Sequence, residues 1–386
     1  MKPFALTAAL LSPLAIVASC GNAVTGDSQP VSTPAPSSQG GFKTEVLGSF
    51  EEPWAAAFVP DSGYLVVTER RGTIKLRAAD GTILNVSGAP QVAYGGQGGL
   101  GDVAILPARE GSVYPIYLSW AEAGQGDTRG AVVGRGELII DEMDGVAEIS
   151  NLKVIWRQSP KVDGQGHYSH RLAFSPDGRY LFVSSGDRQK MTPAQDPTNN
   201  LGSIVRLNLD GTPAAGNAFA GQAGKAQDVW SYGHRNVLGL AFDARGQLWN
   251  MEHGPAGGDE INRVEKGANY GWPIVSEGDH YDGRDIPPHS TRPEFAAPAI
   301  SWNPVIAPGD FIFYSGRLFK EWAGQAIVGG MKPTVLVRVA FDGAKAREVA
   351  RIPMERRIRE VVEAPDGAIW LLEDKAGGRL LRLTPN

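Results

Sequence analysis

Four stretches of the chain carry one phrase: "FVPDSGYLVVTER" (Phe58–Arg70), "FSPDGRYLFVSSGD" (Phe174–Asp187), "FDARGQLWNMEHG" (Phe242–Gly254) and "EAPDGAIWLLED" (Glu363–Asp374). In each, an apolar run meets a turn rich in Pro, Asp, Gly or Ser, and a second run ends in a polar residue, which is the signature of a β-hairpin. Two looser copies, "VAILPAREGSVYPIYLSW" and "FIFYSGRLFKEWAGQAIVGG", bring the units to about six. An outer strand commonly follows, as in "TIKLR", "SIVRLNLDG", "TVLVRVAFDG" and "RLLRLTPN". Four short antiparallel strands per unit, repeated about six times, predict an all-β fold, a six-bladed β-propeller of four-stranded antiparallel blades. "TEVLGSF" (Thr44–Phe50) is placed as the strand that completes the last blade and removes a free edge. A β-sandwich is the alternative, and the rotational repeat argues against it.

The bulk composition suits this reading. With 386 residues, 42% of them hydrophobic, the chain can bury a large core, and its 49 glycines and 27 prolines favour tight turns over long helices. A formal charge of −5 without Lys/Arg runs leaves no footprint for nucleic acid. The N-terminus, "MKPFALTAALLSPLAIVASCGN", has a basic start and an apolar run from Ala5 to Ala18, and reads as an export signal over residues 1–19. "VASC" resembles a bacterial lipobox, which assigns lipidation to Cys20, the only cysteine. Residues 20–41 form a Ser/Pro/Gly/Thr-rich flexible linker, and the propeller is expected over 42–386. Two acyl signals hold a protein at a membrane more firmly than one, so the expected location is periplasmic, on the outer membrane.

The unusual residues fall in the longer polar loops. "GGQGGLGD" (Gly95–Asp102) contains G-x-G-x-x-G, but Pro107 follows too soon for the helix that a dinucleotide site requires. "GQGHYSHR" holds His167 and His170, with Asp187 at the end of the following strand. Zinc would need a third well-spaced ligand, so one histidine is read instead as a general base that Asp187 could orient. "YGHRNVLGLAF" holds Arg235 and Asn236, and "MEHGPAGGDEINRVEKGANYGWP" adds Glu252, Asp259 and Glu260 in a Gly-rich frame with exposed carbonyls, an oxygen-rich set suited to calcium.

Together "GHRN", "EHGPAGGDEIN" and "GANYGWP" resemble the soluble PQQ-dependent glucose and aldose sugar dehydrogenases, over about Gly41 to Pro385. That resemblance implies a six-bladed propeller that oxidises the anomeric carbon of aldoses to lactones with PQQ and Ca2+. His167, four residues before the Arg171 of "RLAF", matches the family's catalytic base, and His170 does not. Arg235 matches the arginine beside the quinone, and Asn236 a cofactor contact. The carbonyls of Gly254 and Pro255 match ligands of the cofactor's calcium, and Glu260 with the Tyr270 carbonyl those of a second, structural calcium. Lys332, Arg357 and Arg359 match the cations that hold the cofactor's carboxylates, and Gln97 faces cofactor and sugar from the glycine loop. Trp302, in "SWNPVIAPGD", is placed at the wall of the sugar site. Gly166 departs from glucose-type members, which carry aspartate before the base. The implied partners are an aldose substrate and an external electron acceptor (a quinone, a cytochrome or a dye), for a monomer or homodimer. A calcium-dependent propeller lactonase or a non-catalytic sugar-binding propeller are the alternatives; the first leaves the cation set unexplained, the second the pairing of His167 with Arg235.

Overall fold

The structure, a computed structural model, describes residues 41–107, 111–141, 143 and 145–386. The export signal, Cys20 and nearly all of the linker lie outside the described residues. The described residues are all-β, with only short 3-10 turns as helix. Four sheets have four strands, one has eight and one has two. The eight-stranded sheet departs from the expected separate blades: two four-stranded antiparallel meanders, spanning residues 53–87 and 100–157, are joined edge to edge. The junction is a short parallel pairing of Val86 with Ala147 and Ser87 with Glu148. The N-terminal strand Phe42–Glu51 pairs with the C-terminal Ala376–Pro385, so the two ends of the folded chain share one sheet.

The hairpin phrase occupies the same place in each unit. Its leading apolar run is the first strand: Pro53–Phe58, Leu100–Ile105, Ser169–Phe174, Val237–Phe242, Pro308–Phe313 and Ile358–Glu363. Four of these six have one burial pattern, four buried residues followed by two half-buried ones. Each first strand touches the next in cyclic order, and Ile358–Glu363 returns to Pro53–Phe58. Apolar side chains fill the wedges between sheets, as where Trp249 packs on Phe313 and Phe341.

The middle of this ring is polar. Arg171 is buried, and its guanidinium reaches the other five first strands. Nε donates to the Leu238 carbonyl (2.7 Å) and Nη2 to that of Gly309 (2.8 Å). Glu360, Asp102 and Asp310 lie at 2.7, 3.4 and 3.8 Å, and the Trp54 ring at 4.2 Å. The carboxylates in turn accept backbone N–H groups of Leu172, Ala56 and Val361. Three carboxyl groups around one cation leave an excess of negative charge, and burial pushes Asp310 up to about 6, opposed by Arg171.

Arg171→Met should therefore cost about 3–5 kcal/mol of stability, the usual result of leaving buried charges unpaired, read as a lowered denaturant midpoint. Because Asp310 titrates higher in the folded state than in the unfolded chain, its contribution is complete below about pH 4 and is lost as pH rises through about 6. Asp310→Asn should flatten that part of the stability profile.

Candidate active site

One end of the ring gathers the starts of first strands and the ends of second strands, and a cavity of about 590 Å3 opens there. Trp54, Ser169, His170, Asn236, Leu238 and Arg359 come from the first-strand starts. Arg70, His253, Met331 and Asp374 come from the second-strand ends, and Gln97 from the glycine loop. A narrow cleft lined by Arg235, Gly254, Pro255, Glu260, Tyr270 and His289 adjoins it, with His253 common to both.

His167 Nδ1 lies 2.7 Å from Asp187 Oδ1, with Nε2 left as the unbonded ring nitrogen. Burial lowers the imidazole's pKa; Asp187 raises it in part, and Arg235 lowers it further. The ring is thus neutral at physiological pH and can accept a proton. Asp187 is also held by the Trp272 indole N–H (2.7 Å) and the Gln189 backbone N–H (2.8 Å). The Gln97 side-chain oxygen accepts the backbone N–H of His167 at 2.7 Å. His170 has a different environment: it stacks on Trp54 (5.0 Å between ring centres), pairs with the Ser119 hydroxyl (2.8 Å), and is pushed down to about 3 by burial.

The loop glycines make room for protein rather than for a ligand ring. A Cβ at Gly99 would lie 2.1 Å from the Arg70 carbonyl, and one at Gly101 would lie 1.9 Å from the His170 ring. At Gly166 the side-chain amide of Gln189 fills the space where a Cβ would stand.

His167, Ser169 and His170 have φ of 48°, 58° and 59°, and Arg188 and Gln189 55° and 61°. Such backbone persists in non-glycine residues only where its surroundings hold it. Arg188, unmarked in the sequence reading, holds this one. It is fully buried over the Tyr168 ring (3.8 Å) and donates to the carbonyls of Gly166 (2.9 Å), Gly164 (2.7 Å) and Arg129 (2.5 Å).

Arg235 is held by Glu252, whose Oε2 accepts its backbone N–H at 2.6 Å. Its Nη1 donates to the His253 carbonyl (3.1 Å), while its Nε is buried without a partner. Glu252 also binds His234 (2.9 Å) and Asn262 (3.2 Å), and Asn262 donates to Glu260 (2.9 Å). Burial, then the charge of Glu252, pushes Glu260 up to about 8. The side-chain oxygens of Asn250 and Asn262 in this cluster are buried and unpartnered. The Tyr270 carbonyl accepts from His289 Nε2 (3.0 Å). Asp259 is fully engaged as a backbone anchor for Gly254, Ile306 and Ala307.

Arg357, just before the strand Ile358–Glu363, and Arg359, within it, share a single carboxylate: Asp374 lies 2.7 Å from Arg357 Nε and 3.0 Å from Arg359 Nη2. Burial raises the Asp374 pKa, but Arg359 and Arg357 outweigh it and hold the group below its ordinary value. Lys332 is exposed and is not among the cavity-lining residues, although its neighbour Met331 is. Trp302 is corrected as a sugar wall: it is buried between sheets with its indole N–H on Glu348 (2.8 Å) and does not line the cavity. Arg70 and Asp374 also line the cavity, and both end a hairpin phrase, as Asp187 does.

These features meet in a known class of protein. A family model described as glucose/sorbosone dehydrogenase matches residues 50–382, and the chain belongs to that family; it is a β-propeller oxidoreductase. Among particular proteins, it is 36% identical over 350 residues to the aldose sugar dehydrogenase YliI of Escherichia coli, covering 88% of this chain and 92% of the relative. The crystal structure of the soluble aldose sugar dehydrogenase (Asd) from Escherichia coli in its apo-form superposes with a TM-score of 0.82 at 33% identity, over 89% of this chain and 100% of that one. The PQQ-bound form of an aldose sugar dehydrogenase (Adh) from Streptomyces coelicolor superposes with a TM-score of 0.70 at 26% identity, over 91% and 99%.

Removing the Arg188 side chain should leave three loop carbonyls without their charged donor. Arg188→Met is expected to lose several kcal/mol of stability, at roughly 1.5–3 kcal/mol per charged hydrogen bond, with partial recovery in Arg188→Lys; thermal melts of both variants provide the check.

Proposed function

We propose that this chain is a six-bladed propeller of four-stranded blades, residues 42–386, that oxidises the anomeric carbon of aldose sugars to lactones with PQQ and Ca2+, passing the electrons to an external acceptor. The observation that carries the reading is the neutral His167, anchored by Asp187 on one nitrogen and free on the other. It does not itself line the cavity, but its backbone is bonded to Gln97 and it is followed by Tyr168 and Ser169, all three of which do, in a cavity with a cationic wall.

The residues fit the implied groups. The cavity has the size of a cofactor site and places Arg70, Arg357, Arg359 and Lys375 along its wall, suited to a flat ligand with several carboxylates. The cleft supplies hard oxygens: Glu260, the carbonyls of Gly254, Pro255 and Tyr270, and the nearby unpartnered amide oxygens of Asn250 and Asn262. Arg235 has a buried donor with no partner. When bound, PQQ supplies a two-electron acceptor and calcium a Lewis acid beside it.

The chain's own residues supply the remainder. His167 Nε2 takes the proton of the anomeric hydroxyl, while Asp187 holds Nδ1 and stabilises the imidazolium that forms. Arg235 contributes a fixed positive charge where negative charge builds up during oxidation. Gln97 and Asn236 present polar contacts along the wall, and Arg357 and Arg359 bind carboxylate. Because Asp374 neutralises one of that pair, the two together present a net single positive charge. Lys332, outside the cavity lining, adds a further charge close by. Upstream, export through residues 1–19 and lipidation of Cys20 would tether the domain at the periplasmic face of the outer membrane through residues 20–41.

Reconstitution tests the reading: the purified protein with PQQ and Ca2+ should reduce an acceptor dye when aldoses are added. His167→Ala should keep PQQ, followed by its absorbance, but lose about 10²–10⁴-fold in kcat; His170→Ala should lose far less turnover. Dye reduction without dependence on PQQ, or equal losses in both variants, would remove the proposal. The double variant Arg357→Ala, Arg359→Ala should weaken PQQ by several kcal/mol, at roughly 1.5–3 kcal/mol per charged contact, in an absorbance titration.

A further inference from the structure

Tyr281 is the most exposed large aromatic side chain among the described residues, at 77%. Its surroundings are specific. The segment that carries it begins at Gly278–Asp279, paired with Ala256–Gly257 of the Gly-rich loop. Its own hydrogen bonds close it: the His280 backbone N–H donates to the Arg284 carbonyl (2.9 Å), and that of Gly283 to the His280 carbonyl (2.9 Å). Asp282 Oδ1 accepts the Arg284 backbone N–H (3.2 Å), and Asp279 Oδ1 that of Ile286 (3.4 Å). The tyrosine thus stands on a formed turn, and its hydroxyl accepts from Arg235 Nη2 at 3.3 Å. The ring packs beside the same guanidinium, 5.9 Å from Cζ, and that guanidinium also lies over Trp272, the indole that holds Asp187.

A rigid aromatic surface left in water beside the reacting groups has no role in the core. It suits a ligand with an apolar face and polar rim. A pyranose ring is such a ligand: its axial C–H bonds make one face apolar, and its equatorial hydroxyls point outward. We infer that Tyr281 is a specificity-determining platform, on which the ring of the reacting aldose lies with its anomeric end toward Arg235 and His167. This rests on the proposed sugar oxidation. It replaces Trp302, which is buried elsewhere, as the aromatic contact of the substrate.

The test compares Tyr281→Ala and Tyr281→Phe in the enzyme loaded with PQQ and Ca2+. The alanine variant should raise KM for a pyranose aldose roughly tenfold, the equivalent of one lost aromatic contact, with a smaller change in kcat. Calorimetric titration with 1,5-anhydroglucitol, which has the ring but no anomeric hydroxyl to oxidise, should show a matching loss of affinity. PQQ titration should be unchanged, and Tyr281→Phe should restore KM and analogue affinity. Unchanged KM and analogue affinity in Tyr281→Ala, with an active wild type, would overturn the platform alone. Equal losses in both variants would assign the effect to the hydroxyl on Arg235 and overturn the ring's role. A wild type that neither oxidises aldoses nor binds the analogue would remove the functional reading and the platform with it.

Discussion

The buried guanidinium of Arg171 is the interaction on which the rest depends. A ring of first strands has no apolar axis to collapse on, because its innermost residues meet at a point too narrow for large side chains from all strands. One cation with contacts to the other five strands satisfies that centre. It binds carboxylates from three of them, a carbonyl from one of these and from a fourth, and an indole from the fifth. Removing any one partner leaves the others buried and charged, so the centre is held as a unit. Trp54, Leu238 and His170, which surround or adjoin this cluster, are also cavity wall. The support for the fold is therefore the floor of the site.

Above that floor the site is built by register. Each hairpin phrase delivers its last polar residue to the same end of the molecule, so Arg70, His253 and Asp374 line one cavity although well over a hundred residues separate some of them, and Asp187 lies behind them on His167. The loop bearing His167 is less regular. Its left-handed backbone is held by Arg188 from below and by Gln97 from the side, and Asp187 then orients the imidazole. For the proposed role as a base, this order of support keeps the imidazole from rotating away from one orientation.

Charge in the site is partitioned by what lies beside each buried carboxylate. Burial raises the pKa of Asp187, Asp374 and Glu260 alike; the hydrogen bond and charge of His167 at Asp187, and Arg359 with Arg357 at Asp374, outweigh it and hold those two low, while Glu260, buried and next to Glu252, is driven upward. The cavity and the oxygen-rich cleft are adjacent, with His253 common to both and Arg235 on the cleft side.

The sequence by itself determined the repeat, because turn chemistry and apolar alternation are local: the hairpins, their outer strands and the pairing of Thr44–Phe50 with the C-terminus could be placed by inspection. Its local motifs raised His167, His170 and Asp187, and the family resemblance those motifs carry singled out His167 with Arg235, Asn236, Gln97, Arg357 and Arg359, which lie at or beside one cavity and its cleft. Tertiary structure alone decided what depends on neighbours distant in the chain. Asp374 joins Arg357 to Arg359, Arg188 reaches under the His167 loop, Trp302 turns into a wedge between sheets, and the first two meanders merge into one sheet through two residue pairs. No local pattern encodes these contacts. Each is set by which side chains the closure of the ring forces into the same small volume, and by the cost of leaving a polar group there without a partner.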